Sequence, residues 1–168
     1  MKSRDVAFCG VFTALAMIFS YIEALIPISV GIPGAKLGFA NIAILVVLYI
    51  TGAKAAFFVD VLRILLTGIL FGNMAAFIFS ISGGLLSVAV MIVLKRTDKF
   101  SMTGISVAGG VSHNIGQLAA AAVVMQTAGI VYYLPVLLIA GVITGVVNGC
   151  VAGIIKKCLH KAGFRDIL

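Results

Sequence analysis

Charged and amide side chains inside otherwise apolar segments are the residues of this sequence that could carry chemistry. Asp60 and Arg63 stand three positions apart, so on a helix both side chains project from nearly the same face. The two charges can neutralise each other, or the guanidinium can hold the carboxylate or phosphate of a ligand with its forked donors. Both interpretations stay open, because a neutralised pair leaves little net charge for an anionic ligand.

A second polar group follows in a later apolar segment. His113 and Gln117 are four positions apart and would share a helix face, and Asn114 follows His113 directly. No second histidine, cysteine or carboxylate stands beside His113 at ligand spacing, so the pattern does not predict a metal site. It is compatible with hydrogen bonds between helices, with a polar pocket for a ligand head group, or with proton transfer.

Further polar residues fall near the expected helix ends. Glu23, Lys36, Asn41 and Asn73 come to the outer side in a six-helix topology, and Asn148 lies deeper in the last helix. With the polar groups inside the apolar segments, they could line one cavity that is open to the outside. The candidate ligand-binding residues are Lys36, Asn41, Arg63, Asn73, His113, Asn114 and Gln117.

Catalytic motifs are missing from the chain. There is no P-loop and no serine-nucleophile motif, and the 5 acidic residues include no adjacent pair of the kind that holds Mg²⁺ for diphosphate chemistry. The 3 cysteines form no CxxC pair and indicate neither a disulfide framework nor a haem or iron–sulfur site. We therefore expect a protein that is not an enzyme and that carries no cofactor.

The elements that position these residues must be membrane helices. Of the 168 residues, 62% are hydrophobic and 10% are charged, with a mean hydropathy of +1.26, whereas soluble domains carry about 25% charged residues. A core of this size could not hide so much apolar surface from water, so the surrounding medium is lipid. We expect an all-α integral membrane protein, a bundle of about six transmembrane helices that forms a single domain over residues 1–168.

Turn residues and charges divide the chain into apolar segments, most of them close to the about 20 residues that a spanning helix needs. Glycine-containing turns and the polar loop 95–99 separate these segments. The predicted spans are 6–28, 37–51, from the break at 52–54 to 71, 74–94, 102–125 and 135–155. The second of these spans is short.

Basic residues are distributed unevenly between the two ends of such a bundle. With six spans both termini lie on one side, and the opposite loops receive only Lys36. By the positive-inside rule this asymmetry places both termini in the cytoplasm of a multi-pass cell-membrane protein. The net charge of +7 is explained in this way, and no basic patch interleaved with stacking aromatics indicates nucleic-acid binding. The basic residues on the expected cytoplasmic side are Lys2, Arg4, Lys54, Lys95, Arg96, Lys99, Lys156, Lys157, Lys161 and Arg165.

Small residues form stripes on the first and last predicted helices. Glycines recur every four positions over 141–153, and Gly10 and Ala14 have the same spacing. Such stripes let helix backbones approach closely in lipid. They predict tight packing within the subunit or, alternatively, docking against a helix of a partner.

Three stretches of the sequence resemble a known family. These are the run GAKLGFANI over 34–42, Arg63 followed by LFG at 70–72, and FSISGGLLS over 79–87. Together they resemble the Gx transporter family, also labelled heptaprenyl diphosphate synthase component I. The resemblance covers nearly the whole chain, and the KLGxANI-like stretch is its most specific part.

This family is similar to the substrate-binding S components of energy-coupling factor transporters. The resemblance implies six helices, a ligand pocket towards the outer side, and docking on a transmembrane T subunit that works with two ATPases. A small-residue motif on the first helix of S components contacts the T subunit, and Gly10 and Ala14 are the matching candidates. The expected function is therefore capture of a small molecule for uptake.

A second class of function stays open on the same resemblance. Family members resemble components found with quinone synthesis and with flavin-based electron transfer to the cell exterior. The rival hypothesis is a non-transporting membrane subunit that anchors a prenyl-quinone or flavin-based pathway. The expected partners are thus membrane lipid, a small-molecule or lipid-like ligand, and, for a transporter, the T subunit and the ATPase pair.

Overall fold

A computed structural model describes residues 3–25, 38–71 and 73–163 of the chain. Within these ranges the chain is helical and contains no strand, which confirms the expected all-α membrane bundle. The elements are α1 (Ser3–Leu25), α2 (Asn41–Ile50), α3 (Ala53–Phe71), α4 (Met74–Arg96), α5 (Met102–Met125), a 3-10 helix (Ala128–Tyr133) and α6 (Leu134–Lys161).

Four apolar stretches of the described chain are long enough to cross a membrane. They are Ser3–Glu23, Met74–Arg96, Met102–Met125 and Gly129–Lys161. The 10 residues of α2 rise only about 15 Å, half the thickness of the hydrocarbon core. α3 has 19 residues but carries three charged side chains, those of Lys54, Asp60 and Arg63. The predicted second span, 37–51, is therefore a shorter helix than expected over its described residues.

The short helix α2 lies in the interior of the bundle. Nine of its 10 residues are buried, and it packs against α1, α3 and α6. Its run of valine, isoleucine and leucine is apolar on every side, and a helix that is apolar all round is stable only when neighbours or lipid surround it. This explains why a sequence rich in β-branched residues forms a helix here.

The glycine stripe of α6 packs against α5. A Cβ at Gly141 would lie 3.0 Å from the backbone oxygen of Gly110, and one at Gly145 would lie 2.5 Å from Val107 Cα. The two backbones are therefore in direct contact, as small residues allow in membrane helices. The prediction of tight packing within the subunit is confirmed for Gly141, Gly145 and Gly149, whereas Gly153, the last glycine of the stripe, approaches no described neighbour.

The small residues of α1 behave differently. Among the described residues α1 packs on α2 and α3 and does not contact α6. Gly10 and Ala14 are exposed, and a Cβ at Gly10 would have no heavy atom of the described chain within 4 Å. The interpretation of this pair as internal packing residues is wrong, because the pair faces away from the neighbouring helices. Its role in docking stays a prediction.

Lysines from different helices gather at one end of the bundle, which we call the basic end. Lys95 Nζ, near the end of α4, donates to the backbone oxygen of Leu48 near the end of α2 at 2.8 Å. The ring of Tyr49 lies 5.0 Å from Lys95 Nζ and 4.9 Å from Lys156 Nζ of α6. The carboxyl ends of α2, α4 and α6 therefore lie together, as the distribution of charge predicted.

Candidate ligand-binding core

Asp60 and Arg63 of α3 form a buried ion pair. Arg63 Nε and Nη2 both donate to Asp60 Oδ1, at 2.9 and 2.7 Å, and the two residues are 2% and 1% exposed. Arg63 Nη1 also donates to Ser20 Oγ of α1 at 3.4 Å. The pairing predicted from their spacing is confirmed, and the arginine joins α3 to α1.

The other carboxylate oxygen of this pair faces α4. A Cβ at Gly84 would lie 3.0 Å from Asp60 Oδ2 and 3.3 Å from Arg63 Nη2. Only a residue without a side chain lets α4 approach the pair so closely. Asp60 Oδ2 is buried and has no hydrogen-bond partner among the described residues. Burial of a charged oxygen without a hydrogen bond is costly, so this atom is a candidate contact for a bound donor.

The preceding glycine of α4 faces the polar residues of α5. A Cβ at Gly83 would lie 2.8 Å from Gln117 Cγ and 3.2 Å from His113 Cε1. His113 and Gln117 are only 2% and 3% exposed. The Gly83–Gly84 pair thus lies between the ion pair of α3 and the polar face of α5. Both groups therefore lie close to the backbone of α4.

The turn before α2 connects several helices at Gly38. Its φ of +88° is in the left-handed region that favours glycine. The backbone N–H groups of Gly38 and Phe39 both donate to Glu23 Oε1 of α1, at 2.6 and 2.8 Å. Asn148 Nδ2 of α6 donates to the Gly38 oxygen at 3.0 Å. A Cβ at Gly38 would lie 3.6 Å from His113 Cδ2, so this turn contacts α5 as well.

Three buried asparagines complete the polar interior. Asn41 Nδ2 donates to Ser87 Oγ of α4 at 3.4 Å, and Asn114 Nδ2 donates to the backbone oxygen of Leu137 of α6 at 2.6 Å. The Oδ1 atoms of Asn114 and Asn148 are buried without a hydrogen-bond partner in the described part of the chain. Their amide nitrogens are committed to carbonyl oxygens, so the free atoms are acceptors.

We call this set of residues, all buried except the half-buried Glu23, the polar core. Arg63 is about 15 Å from the start of α3 and His113 about 16 Å from the start of α5, near the middle of each helix, whereas Glu23 lies near the end of α1. All six α helices contribute to the polar core. Its members are Ser20, Glu23, Gly38, Asn41, Asp60, Arg63, Ser87, His113, Asn114, Gln117 and Asn148.

The sequence-based candidates are distributed unevenly over the structure. Asn41, Arg63, His113, Asn114 and Gln117 are all buried. Close approaches at Gly38, Gly83 and Gly84 connect these residues with the exception of Asn114, which donates to Leu137 of α6. Asn73 lies apart at the exposed start of α4, where its side chain accepts the Ala76 N–H at 2.7 Å as an N-cap. Lys36 lies outside the described residues.

Sequence reasoning missed two serines and did not assign Gly38 a role. Ser20 and Ser87 carry no distinct signal, because a serine in a membrane helix usually bonds to its own backbone. Gly38 stands between Lys36 and Asn41 in the most specific stretch of the chain, and this position was its only signal. Within the described ranges no three His, Cys, Asp or Glu side chains come close enough to hold a metal ion.

Fold and site together define an integral membrane bundle with a buried polar interior. A family model described as heptaprenyl diphosphate synthase component I matches residues 12–155, and the chain belongs to that family. The match includes every residue of the polar core. No curated protein and no solved structure gives a significant match.

Proposed function

We propose that this protein is a membrane substrate-binding subunit, similar to an S component, that captures a small molecule for uptake. The observation that carries the proposal is the polar core with its three buried acceptor atoms, those of Asp60, Asn114 and Asn148. Polar groups at membrane depth are costly and usually serve a function. The proposed role requires no catalysis by this chain.

The chemistry of the core favours a ligand that donates hydrogen bonds. All three atoms are oxygens, and buried oxygens are stabilised by N–H or O–H donors. Arg63 already gives two donors to Asp60, so the pair offers little net positive charge to an anion. We infer a small polar ligand with hydroxyl, amine or amide groups, without a dominant negative charge.

The proposed transport partner docks on α1. Gly10 and Ala14 form an exposed, smooth face on this helix, which suits the close approach of a second helix in lipid. By analogy with S components, the partner would be a transmembrane T subunit, and an ATPase pair would supply the energy. The same proposal places the basic end in the cytoplasm.

Native mass spectrometry of gently purified protein tests this function. We expect a small polar molecule bound at one copy per chain, which is lost when the protein unfolds. A lipid-like chain or a coloured redox group in its place would support the rival function, a non-transporting subunit of a prenyl-quinone or flavin-based pathway. The name of the family, heptaprenyl diphosphate synthase component I, is the reason for considering that rival.

A further inference from the structure

The last two turns of α6 extend beyond the start of α5 at the basic end. A Cβ at Gly149 would lie 2.7 Å from Thr103 Cα, in the first turn of α5. One turn later, a Cβ at Gly153 would have no heavy atom of the described residues within 4 Å. The face of α6 that packs on α5 along most of its length is therefore open from Gly153 onwards.

A cavity of about 580 Å³ lies at this opening, between the ends of α2, α5 and α6. Tyr49, Met102 and Gly153 form its apolar side. The other lining residues are Lys156, Lys157, His160 and Lys161, which continue the same helical face at positions three, four, seven and eight after Gly153. The lining of the cavity thus combines apolar and basic residues.

The electrostatics of the cavity favour an anion. Three lysines line it, and none of its lining residues within the described ranges is a carboxylate. Asp98 acts electrostatically on the neighbouring Tyr49. The cavity also faces the amino-terminal turn of α5, whose helix dipole is positive at that end. Lysine ammonium groups are common ligands of phosphate in proteins.

We propose that this basic cavity binds the phosphate of an anionic membrane lipid. The apolar stretch Gly129–Lys161 ends here, which places the cavity at the level where lipid head groups meet water. The lysines would hold the phosphate, and Met102 and Tyr49 would contact the beginning of the acyl chains. A free phosphate would contact only the basic residues of the lining, and Tyr49 and Met102 would then have no role in binding.

The test compares lipids and variants by native mass spectrometry of detergent-purified protein. Phosphatidylglycerol and phosphatidylcholine with identical acyl chains are titrated into wild type, and we expect tight retention of phosphatidylglycerol only. Each basic residue near a lipid surface contributes roughly fivefold in affinity. Replacement of Lys156, Lys157 and Lys161 by Gln should therefore weaken phosphatidylglycerol binding roughly a hundredfold.

A matched control removes three charges from the same end of the bundle without touching the cavity. Lys54, Arg96 and Lys99 are exposed and do not line it, so their replacement by Gln should change the affinity only slightly. A second variant, Gly153→Phe, keeps the lysines and fills the apolar side, where there is room for a side chain. It should also lose the lipid, while its thermal unfolding matches that of wild type.

Three outcomes would overturn the proposal. The first is equal binding of both lipids, and the second is an equal loss of affinity in the two triple variants. The third concerns the source of the phosphate: if inorganic diphosphate binds as tightly as the lipid in lipid-free detergent and displaces it, the occupant is a soluble anion.

Discussion

At the scale of single residues, Asp60 and Arg63 neutralise each other's charge in the interior of the bundle. The pair is buried, and the arginine also reaches Ser20 on another helix. Removal of one partner leaves an uncompensated charge, which costs about 3–5 kcal/mol, whereas removal of both can be nearly neutral. We therefore expect Arg63→Ala to lower the thermal stability strongly, and the double variant with Asp60→Ala to recover most of that loss.

Arg63→Lys separates the structural role of the arginine from a role in binding. A lysine keeps the charge but cannot reproduce the two parallel contacts of the guanidinium. Thermal unfolding and ligand affinity would be measured on all three variants. If the double variant stays unstable, while Arg63→Lys is stable but has lost its ligand, the arginine belongs to the binding site and the structural assignment is wrong.

Some contacts of these residues could be predicted from the sequence, and others could not. The helical spacings of Asp60 with Arg63 and of His113 with Gln117 predict shared faces, because they depend on local geometry alone. The contacts of Gly38 with Glu23 and Asn148 connect positions 15 and 110 residues apart in the chain. A pattern of neighbouring residues in the sequence cannot predict such contacts, because they form only when the helices pack together.

At the scale of elements, the α5–α6 interface provides a matched pair of substitutions. Gly145→Leu would drive a side chain into the backbone of Val107, whereas Gly153→Leu would enter open space on the same face of the same helix. Overpacking of this kind costs about 1–3 kcal/mol or more. We expect a clear loss of thermal stability for Gly145→Leu and little change for Gly153→Leu.

Equal thermal stabilities of these two variants would contradict the close packing of α6 on α5 at Gly145. The comparison controls for helix propensity and for hydrophobicity, because both sites receive the same residue on one helix. A loss in the Gly153 variant alone would show that α5 and α6 pack in a different register.

Helix α1 carries the surface proposed for partner docking. A Cβ at Gly10 would meet no atom of residues 3–25, 38–71 or 73–163, so Gly10→Leu should fold with unchanged thermal stability. The bulky side chain should nevertheless keep a partner helix away and reduce co-purification of a T subunit. Ile18→Leu, at another exposed position of α1, serves as the control. Undiminished co-purification of Gly10→Leu would remove α1 from the interface.

The length of α2 shows where element prediction from sequence fails. The apolar run over 42–50 predicts a buried or membrane segment correctly, but its periodicity does not show where the helix begins. Gly38, with its left-handed backbone, and the hydrogen bonds to Glu23 fix the turn that leads into Asn41. Tertiary contacts therefore determine where α2 begins, and this position is buried in the bundle.

At the scale of the whole molecule, the basic end defines the proposed orientation. Cysteine labelling from outside intact cells checks it, in a background that lacks the native Cys9, Cys150 and Cys158. We expect a cysteine at position 35 to react with a membrane-impermeant reagent and one at Thr97 to react only after the cells are opened. The reverse pattern would invert the topology and would place the basic cavity outside the cell.

The most direct test of the proposed function is whether a small polar molecule occupies the polar core. Substitutions at two buried residues of α6, Asn148 and Thr144, show whether a bound molecule contacts the core. Among the described residues, Asn148 has an acceptor without a partner and a bond to Gly38, and Asn148→Leu removes both. Thr144→Val removes a hydroxyl whose bonds, in the same ranges, go to its own helix. Native mass spectrometry would measure the bound molecule in wild type and in both variants, with thermal unfolding as the check of folding. We predict that wild type and Thr144→Val retain it and that Asn148→Leu loses it. Equal retention in all three proteins, or wild type with no small polar molecule, would contradict the account.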